Sequence, residues 1–443
     1  MKLDNDNIHT IYFLGIGGIG MSALAHFFLL QGKKVHGYDL TPSEITTQLV
    51  KEGAIVHFEE DVTKIPENVN IVVYTPAVPK EHKEYRYFVE NNIPLLKRSE
   101  ILGAICANYP TIAIAGTHGK TTTTAMATQI LCGCRDAGCH VSTLSFIGGI
   151  AKNFDSNFVC ETDFDTVIVE ADEYDRSFLT LNPQVAVITS LDADHLDVYG
   201  KHEHLKTSFQ LFANQIKPDG VLVIYDEIAE SIEHSNKKTY GLSQGADYKV
   251  SDIQHFSIPG KHNILNAVAA LAACIEFSMW KDKTADISNL FSIFNKKLSE
   301  FIGVNRRYDI RVQREDFVYI DDYAHHPEAI KAFLDAVKNN YPTRKLTGVF
   351  QPHLYTRTKD FAQEFAQSLE ILDEIILLDI YPAREKPIEG ITSGYLLSLL
   401  KNKNNKLINK EELVNYLKQN KLEVLLTMGA GDIDRLVKPL EAL

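Results

Sequence analysis

Short apolar runs recur along the chain and alternate with longer amphipathic stretches. This is the rhythm of strands buried on both faces of a parallel sheet, with helices between them. The first run, Ile11 to Leu14, enters a glycine-rich stretch directly, and a helical segment from Met21 to Leu30 follows. Runs at Lys34 to Tyr38 and Ile71 to Tyr74 continue the series, and Cys106-Ala-Asn-Tyr-Pro110 reads as a short linker. The pattern then restarts with Ile112 to Ala115, a second glycine loop and another helix. Strands are expected at Thr166 to Val169, Val185 to Thr189 and Gly220 to Ile224, and an alanine-rich helix from Asn263 to Ile275. A third series opens near Arg306, with strands at Phe317 to Ile320, Leu346 to Phe350, Glu374 to Leu378 and Val424 to Thr427. The expected architecture is α/β throughout, in three domains: residues 1–107, 108–304 and 305–443.

Length supports this division, because 443 residues exceed what one hydrophobic core organises. With 45% hydrophobic and 23% charged residues the chain is composed to fold. A formal charge of −13 argues against nucleic acid or an anionic membrane as a partner, while leaving room for a local basic pocket. Six cysteines in so long a chain do not make a disulfide scaffold. Cys132, Cys134 and Cys139, beside His140, lack the usual spacing of a zinc site and are expected as reduced thiols near a helix end. The N-terminus shows no basic leader or cleavage site, and no run of about 18 apolar residues suggests a membrane span. A soluble, cytoplasmic protein is expected.

Two glycine loops carry the chemistry. Gly15-Ile-Gly17-Gly18-Ile-Gly20 lies between a strand and a helix, and Asp39 ends the next strand about 20 residues on, as in a dinucleotide-binding fingerprint. Such a loop brings backbone and a helix N-terminus against a diphosphate. Taken alone it would suggest NAD, but a UDP-sugar presents the same phosphates. The second loop, Gly116-Thr117-His118-Gly119-Lys120-Thr121, with Thr122 following, departs from the standard phosphate-loop pattern by placing Ile114 where a glycine is expected. It still supplies backbone N–H groups and Lys120 for phosphates and the Thr121 hydroxyl for Mg2+. Two apolar strands end in acidic clusters, Glu170-Ala-Asp172-Glu173-Tyr-Asp175 and Asp192-Ala-Asp194-His195-Leu-Asp197, where hard oxygen ligands for a metal are expected.

These stretches resemble the Mur ligase family, the ATP-dependent amide ligases of peptidoglycan precursor synthesis. The resemblance implies a Rossmann-like N-terminal domain for the UDP-sugar, a central P-loop-type ATPase domain, and a Rossmann-like C-terminal domain for the amino acid. It implies that Glu170 and His195, with Thr121, hold Mg2+. By the same likeness Gly116 to Thr122, Asn263, Arg307 and Asp322 contact ATP, and Gly15, Gly17, Gly18, Gly20 and Asp39 contact the UDP-sugar. Gly15 to Ser22, Asp321-Asp-Tyr323-Ala-His325-His-Pro327 and Phe350-Gln-Pro-His353-Leu-Tyr-Thr-Arg357-Thr358 resemble the branch whose substrates are UDP-N-acetylmuramate and L-alanine. There Tyr323, His353 and Arg357 are implied at the amino acid or lactyl group, and Lys120, His325 and Arg307 in catalysis. Three departures stand out. Leu354 sits where relatives carry arginine, the span Tyr248 to Pro259 is short, and Phe209 occupies the place of a carbamylated lysine used by sister enzymes.

The implied reaction has two steps: ATP phosphorylates a carboxylate, and an amine then displaces phosphate from the acyl phosphate. Three other readings compete: a murein-recycling ligase that adds a peptide, a nicotinamide dehydrogenase, and a nucleotide-sensing module without catalysis. The Gly-Lys-Thr loop counts against the dehydrogenase, and intact Lys120, Thr121, Glu170 and His195 count against the sensor. A monomer or homodimer is expected.

Overall fold

The computed structural model describes residues 7–134, 139, 141–192, 196–383 and 385–443. Its contacts divide the chain into two compact units, one of Met1–Phe256 with Leu265–Phe301, the other of Ser257–Ile264 with Ile302–Leu443.

The first unit holds two sheets. One is five-stranded and parallel, in the order Ile55–His57, Lys34–Tyr38, Thr10–Leu14, Ile71–Tyr74, Leu95–Lys97. Ile11 to Leu14 are all 0% exposed, because both faces are covered. Ile11 and Phe13 join the core that holds helix Ile19–Leu30, while Tyr12 and Leu14 join Phe88 of helix Lys83–Glu90. The strand order reverses between Thr10–Leu14 and Ile71–Tyr74, and the first glycine loop leaves the sheet there. In open α/β sheets this is the position of the ligand crevice.

The second sheet has eight strands: Tyr248–Lys249, Lys237–Gly241, Val221–Tyr225, Val185–Ile188, Thr111–Ala115, Thr166–Glu170, Thr143–Ala151 and Ser156–Cys160. The last two form an antiparallel hairpin that the apolar pattern did not reveal, since Gly148 and Gly149 interrupt one strand and the other is half polar. The hairpin binds the two sheets into one unit. Phe146 lies 6.2 Å from Phe27, and the Asn157 amide donates to the Ile19 carbonyl and to Ser22 Oγ at 3.0 Å. Phe178 fills the core beneath, stacked on Phe212 at 5.0 Å and edge-on to Phe209 at 5.2 Å.

Helix Lys261–Lys281 is long and apolar enough to cross a membrane by length and composition, although polar residues such as Asn266 and Glu276 interrupt it and leave no unbroken run of 18 apolar residues. Its residues Ala267 to Ile275 are at most 1% exposed, the burial of a core helix. Cys134 and Cys139, expected as reduced thiols, are paired as a disulfide, their Cα atoms 5.6 Å apart. Cys106, Cys132, Cys160 and Cys274 are free thiols, and His140 lies outside the described residues.

The second unit carries a six-stranded sheet in the order Asp309–Gln313, Val318–Asp322, Val424–Met428, Leu346–Phe350, Glu374–Leu377, Asn405–Leu407. Only the first pair is antiparallel. Strand Val318–Asp322 continues two residues past the apolar run, because Asp321 is paired. Its carboxylate accepts from Thr427 Oγ1 at 2.6 Å and meets Arg306 Nε at 3.1 Å.

A test of the packing in the first unit follows from Gly103, in helix Arg98–Cys106. A Cβ there would lie 2.7 Å from the Thr180 carbonyl oxygen. Gly103→Ala should lower unfolding free energy by about 1–3 kcal/mol despite alanine's better helix propensity. Gly245→Ala, with no atom within 4 Å of the added carbon, should stay within about 0.5 kcal/mol. Urea unfolding of both variants checks the contrast.

Candidate functional site

The second glycine loop follows a strand whose residues Thr111 to Ala115 are all buried. Gly116 and Gly119 have φ of +133° and +82°, where a side chain is strained. Space forbids one as well: a Cβ would fall 2.0 Å from Thr189 Oγ1 at Gly116 and 2.4 Å from Asn266 Oδ1 at Gly119. The end of the neighbouring strand braces the loop. The His118 amide donates to Ser190 Oγ at 2.8 Å, Thr117 Oγ1 lies 2.9 Å from that oxygen, and the Asp192 amide donates to Thr117 Oγ1 at 3.1 Å. Helix Lys120–Leu131 then begins without a side-chain cap or an acidic residue in its first turn, which leaves its positive end to an outside anion. Thr122, in that turn, is buried.

Lys120 is 13% exposed, and its ammonium donates to the Gly116 carbonyl at 2.6 Å and pairs with fully buried Glu173 at 2.7 Å. Burial opposes the charge, but Glu173, then Asp172 and Glu170, outweigh it and hold the ammonium above its ordinary pKa. Glu170, the last residue of its strand, accepts from Thr121 Oγ1 at 3.1 Å and from the Gly148 amide at 2.9 Å. A Cβ on Gly148 would lie 2.2 Å from Glu170 Oε2, so glycine is required for this approach. Thr121 and Glu170 thus offer two hard oxygens beside the loop, which fits Mg2+, an ion that completes its shell with water and phosphate. His195, the third implied ligand, lies outside the described residues. Among the described residues no three His, Cys, Asp or Glu side chains converge as a metal cluster.

At the first loop Gly15 has φ +83°, and a Cβ there would lie 2.9 Å from Thr75 Cγ2. Gly18 precedes helix Ile19–Leu30 without capping it through a side chain. Asp39 turns inward: its carboxylate accepts from the Gly17 amide at 2.7 Å and the Thr41 amide at 3.2 Å. The acidic residue that most suggested a dinucleotide fingerprint is therefore engaged in closing the loop. Gly20 is covered by the Arg98 side chain, a neighbour that sequence spacing did not indicate.

In the second unit the expected substrate residues gather at the carboxyl ends of the strands. His325 lies 5.9 Å from His353 and 5.0 Å from Tyr323, ring to ring, and His353 stacks on Tyr381 at 5.8 Å. Arg306 and Arg307 both stand over the Tyr323 ring, at 5.2 and 5.0 Å. Arg357 is buried in helix Tyr355–Asp360. Leu354, at the departure from the family pattern, has φ +70° and donates its amide to the Tyr381 carbonyl at 3.0 Å. Tyr381 and Glu385, whose carboxylate accepts from the Thr356 amide at 3.0 Å, were missed because neither lies in an obvious motif. Asp322 accepts from the amides of Tyr308 at 2.6 Å and Ala324 at 2.8 Å. Burial pushes its carboxyl up to about 6, against Arg307 and those amides. Asn263 sits in the first turn of its helix and donates to the Pro259 carbonyl at 2.6 Å.

Comparison with known proteins matches three family models along the chain: Mur ligase family, catalytic domain, over 10–110, Mur ligase middle domain over 114–274, and Mur ligase, glutamate ligase domain, over 306–431. The UDP-N-acetylmuramate–L-alanine ligase of Flavobacterium psychrophilum is 44% identical, over 98% of this chain and 97% of its own. Among solved structures, the UDP-N-acetylmuramate–alanine ligase of Thermotoga maritima superposes with a TM-score of 0.79 at 26% identity, over 97% of this chain and 98% of that one. The murein peptide ligase of Psychrobacter arcticus gives 0.72 at 20% identity, over 98% and 99%.

His353 supplies a pH test. Burial, then the Arg357 charge, lowers its pKa from 6.5 to about 4. Between those values the unfolded chain binds a proton that the folded chain does not, so stability falls as pH drops through the window. His353→Gln should be less acid-sensitive than the parent by about 2–3 kcal/mol between pH 7 and pH 4, measured by unfolding at each pH. Parallel pH profiles would show that the imidazole titrates normally.

Proposed function

Since this chain belongs to the Mur ligase family, we infer that its two glycine loops and its C-terminal site serve one reaction, the ATP-dependent joining of L-alanine to the lactyl carboxylate of UDP-N-acetylmuramate. The product is a peptidoglycan precursor, and ADP and phosphate are released. The observation that carries the ATP half is a mostly buried lysine at the mouth of a glycine loop, beside the Thr121–Glu170 pair. The choice of substrates rests on 44% identity across nearly the whole chain to a UDP-N-acetylmuramate–L-alanine ligase. The murein peptide ligase shares the fold at 20% identity, so fold does not separate the two readings and sequence does.

A carboxylate does not react with an amine, so the γ-phosphoryl group is transferred to it first. The backbone of Gly116 to Thr122 cradles the phosphates, and Lys120 stands where charge on the transferring group is neutralised. Thr121 and Glu170, with His195 by the family likeness, would hold Mg2+, which lowers the charge of the phosphates when bound. Asn263, Arg307 and Asp322 are assigned to ATP, and Gly15, Gly17, Gly18 and Gly20 to the UDP-sugar. Asp39 belongs to that site by shaping its loop. Tyr323, His353 and Arg357 are assigned to the amino acid or lactyl group, and His325 to the phosphates. The amine then attacks the acyl carbon, the C–N bond forms, and phosphate leaves with the C–O electron pair. The enzyme works in the cytoplasm, as a monomer or homodimer.

The test is ADP release with UDP-N-acetylmuramate and each amino acid in turn. Release should require both co-substrates, with L-alanine preferred, and release with a peptide in place of alanine would favour the recycling ligase. Lys120→Ala should lower kcat by roughly 10²–10³-fold or more. Near-normal turnover would remove Lys120 from the phosphate cradle. Arg357→Ala should raise KM for L-alanine more than about tenfold, as expected for loss of a desolvated charge pair. It should also narrow the discrimination between L-alanine and alaninamide, whereas an unchanged preference would assign the carboxylate to another residue.

A further inference from the structure

Arg98 lies between the two glycine loops. It opens helix Arg98–Cys106 directly after the edge strand Leu95–Lys97, at the carboxyl end of the first sheet. Its Cδ and Nη1 are each 3.0 Å from where a Cβ on Gly20 would stand. The last glycine of the loop is therefore small because a guanidinium rests on the first turn of helix Ile19–Leu30. From there Nη2 reaches Asp172 Oδ2 at 3.4 Å, and the Asp172 charge also acts on Lys120. The neighbouring Lys97 pairs with Asp175 at 2.8 Å. The turn that carries these carboxylates is bent at two non-glycine residues, Asp175 at φ +51° and Arg176 at φ +55°. Strain of this kind gathers at ligand sites.

An arginine in this place needs explaining. Two helices begin beside it, and positive charge at a helix start opposes the macrodipole. Its contact with Asp172 is longer than the 2.7–2.9 Å or so of a tight charge-assisted bond. Both side chains keep water, at 22% and 37% exposure, so the pair can exchange partners. An anion seated on the first loop would relieve the opposition, and a planar fork suits two oxygens of a diphosphate better than an ammonium does.

We infer that Arg98 grips the diphosphate of the UDP-sugar, releasing Asp172 as it does so. This rests on the ligase reading above and adds to it a binding residue that joins the first loop to the carboxylates beside the second. A simple clasp between the two sheets would use the same ion pair, and the two roles differ in what they do to ligand affinity.

The experiment uses the full-length protein and measures KM for each substrate, the dissociation constant of UDP alone, and the melting midpoint. Arg98→Ala should raise KM for UDP-N-acetylmuramate about tenfold or more and weaken UDP by a similar factor. KM for ATP and for L-alanine should stay within about twofold. Arg98→Lys should recover only part of the loss, and Arg98→Gln, which keeps a planar polar end, should show the same loss if the alanine variant does not fold. Unchanged UDP affinity overturns the proposal, whether the variant melts lower, as a clasp would require, or binds only the sugar portion less well. If the parent enzyme releases no ADP with UDP-N-acetylmuramate and alanine, the ligase reading fails instead, and UDP affinity still reports on Arg98.

Discussion

Lys120 places an ammonium where little water reaches, and the centre of the first unit is arranged around that charge. An isolated buried cation would cost several kcal/mol, so three carboxylates and a carbonyl converge on it. Glu173, itself fully buried, is stabilised by the Lys120 ammonium. Glu170 is held against the loop by hydrogen bonds from Thr121 and Gly148. The glycines follow from the same arrangement. Gly116, Gly119 and Gly148 each stand where a single added carbon would strike a neighbouring oxygen. The loop's curvature and the carboxylates' approach are therefore one construction.

The same principle is used differently at the other two sheets. At the first loop the stabilising carboxylate, Asp39, bonds to the loop's own amide, so the curve is held before any ligand arrives. At the C-terminal sheet, Asp321 extends a strand beyond its apolar run by meeting Arg306 and Thr427, while Asp322 clamps the turn after it. Tyr323 and His325, the one assigned to substrate and the other to the phosphates, then project from backbone already fixed by these buried polar bonds. Site precision comes from these supports, which lock the loops on which the reactive groups stand.

The likeness to both an alanine-adding and a peptide-adding ligase shows how little the architecture says about the substrate. Solved structures of both kinds match nearly the full length of this chain, at TM-scores of 0.79 and 0.72, and it is identity to the alanine-adding ligases that separates the two readings. In the assignment proposed above, sheet, loop and lysine serve ATP, whereas the amino acid falls to a few side chains, Tyr323, His353 and Arg357, on the C-terminal unit.

The strands were legible in the sequence because burial on both faces leaves an unbroken apolar run, as at Ile11 to Leu14 and Ile112 to Ala115. The glycine loops were legible because their spacing has a local cause, a tight turn from strand to helix. Lys120 could be named for the same reason, and Glu170 from the family likeness. What the sequence did not disclose involves partners distant along the chain. The hairpin of Thr143–Ala151 and Ser156–Cys160 exists because its apolar side meets Phe27, more than a hundred residues away. The inward turn of Asp39, the pairing of Glu173 with Lys120, and the position of Arg98 over Gly20 were settled only by folding. Periodicity records which side of an element is buried. It does not record which charge on another element that side will meet, and in this protein those meetings build the site.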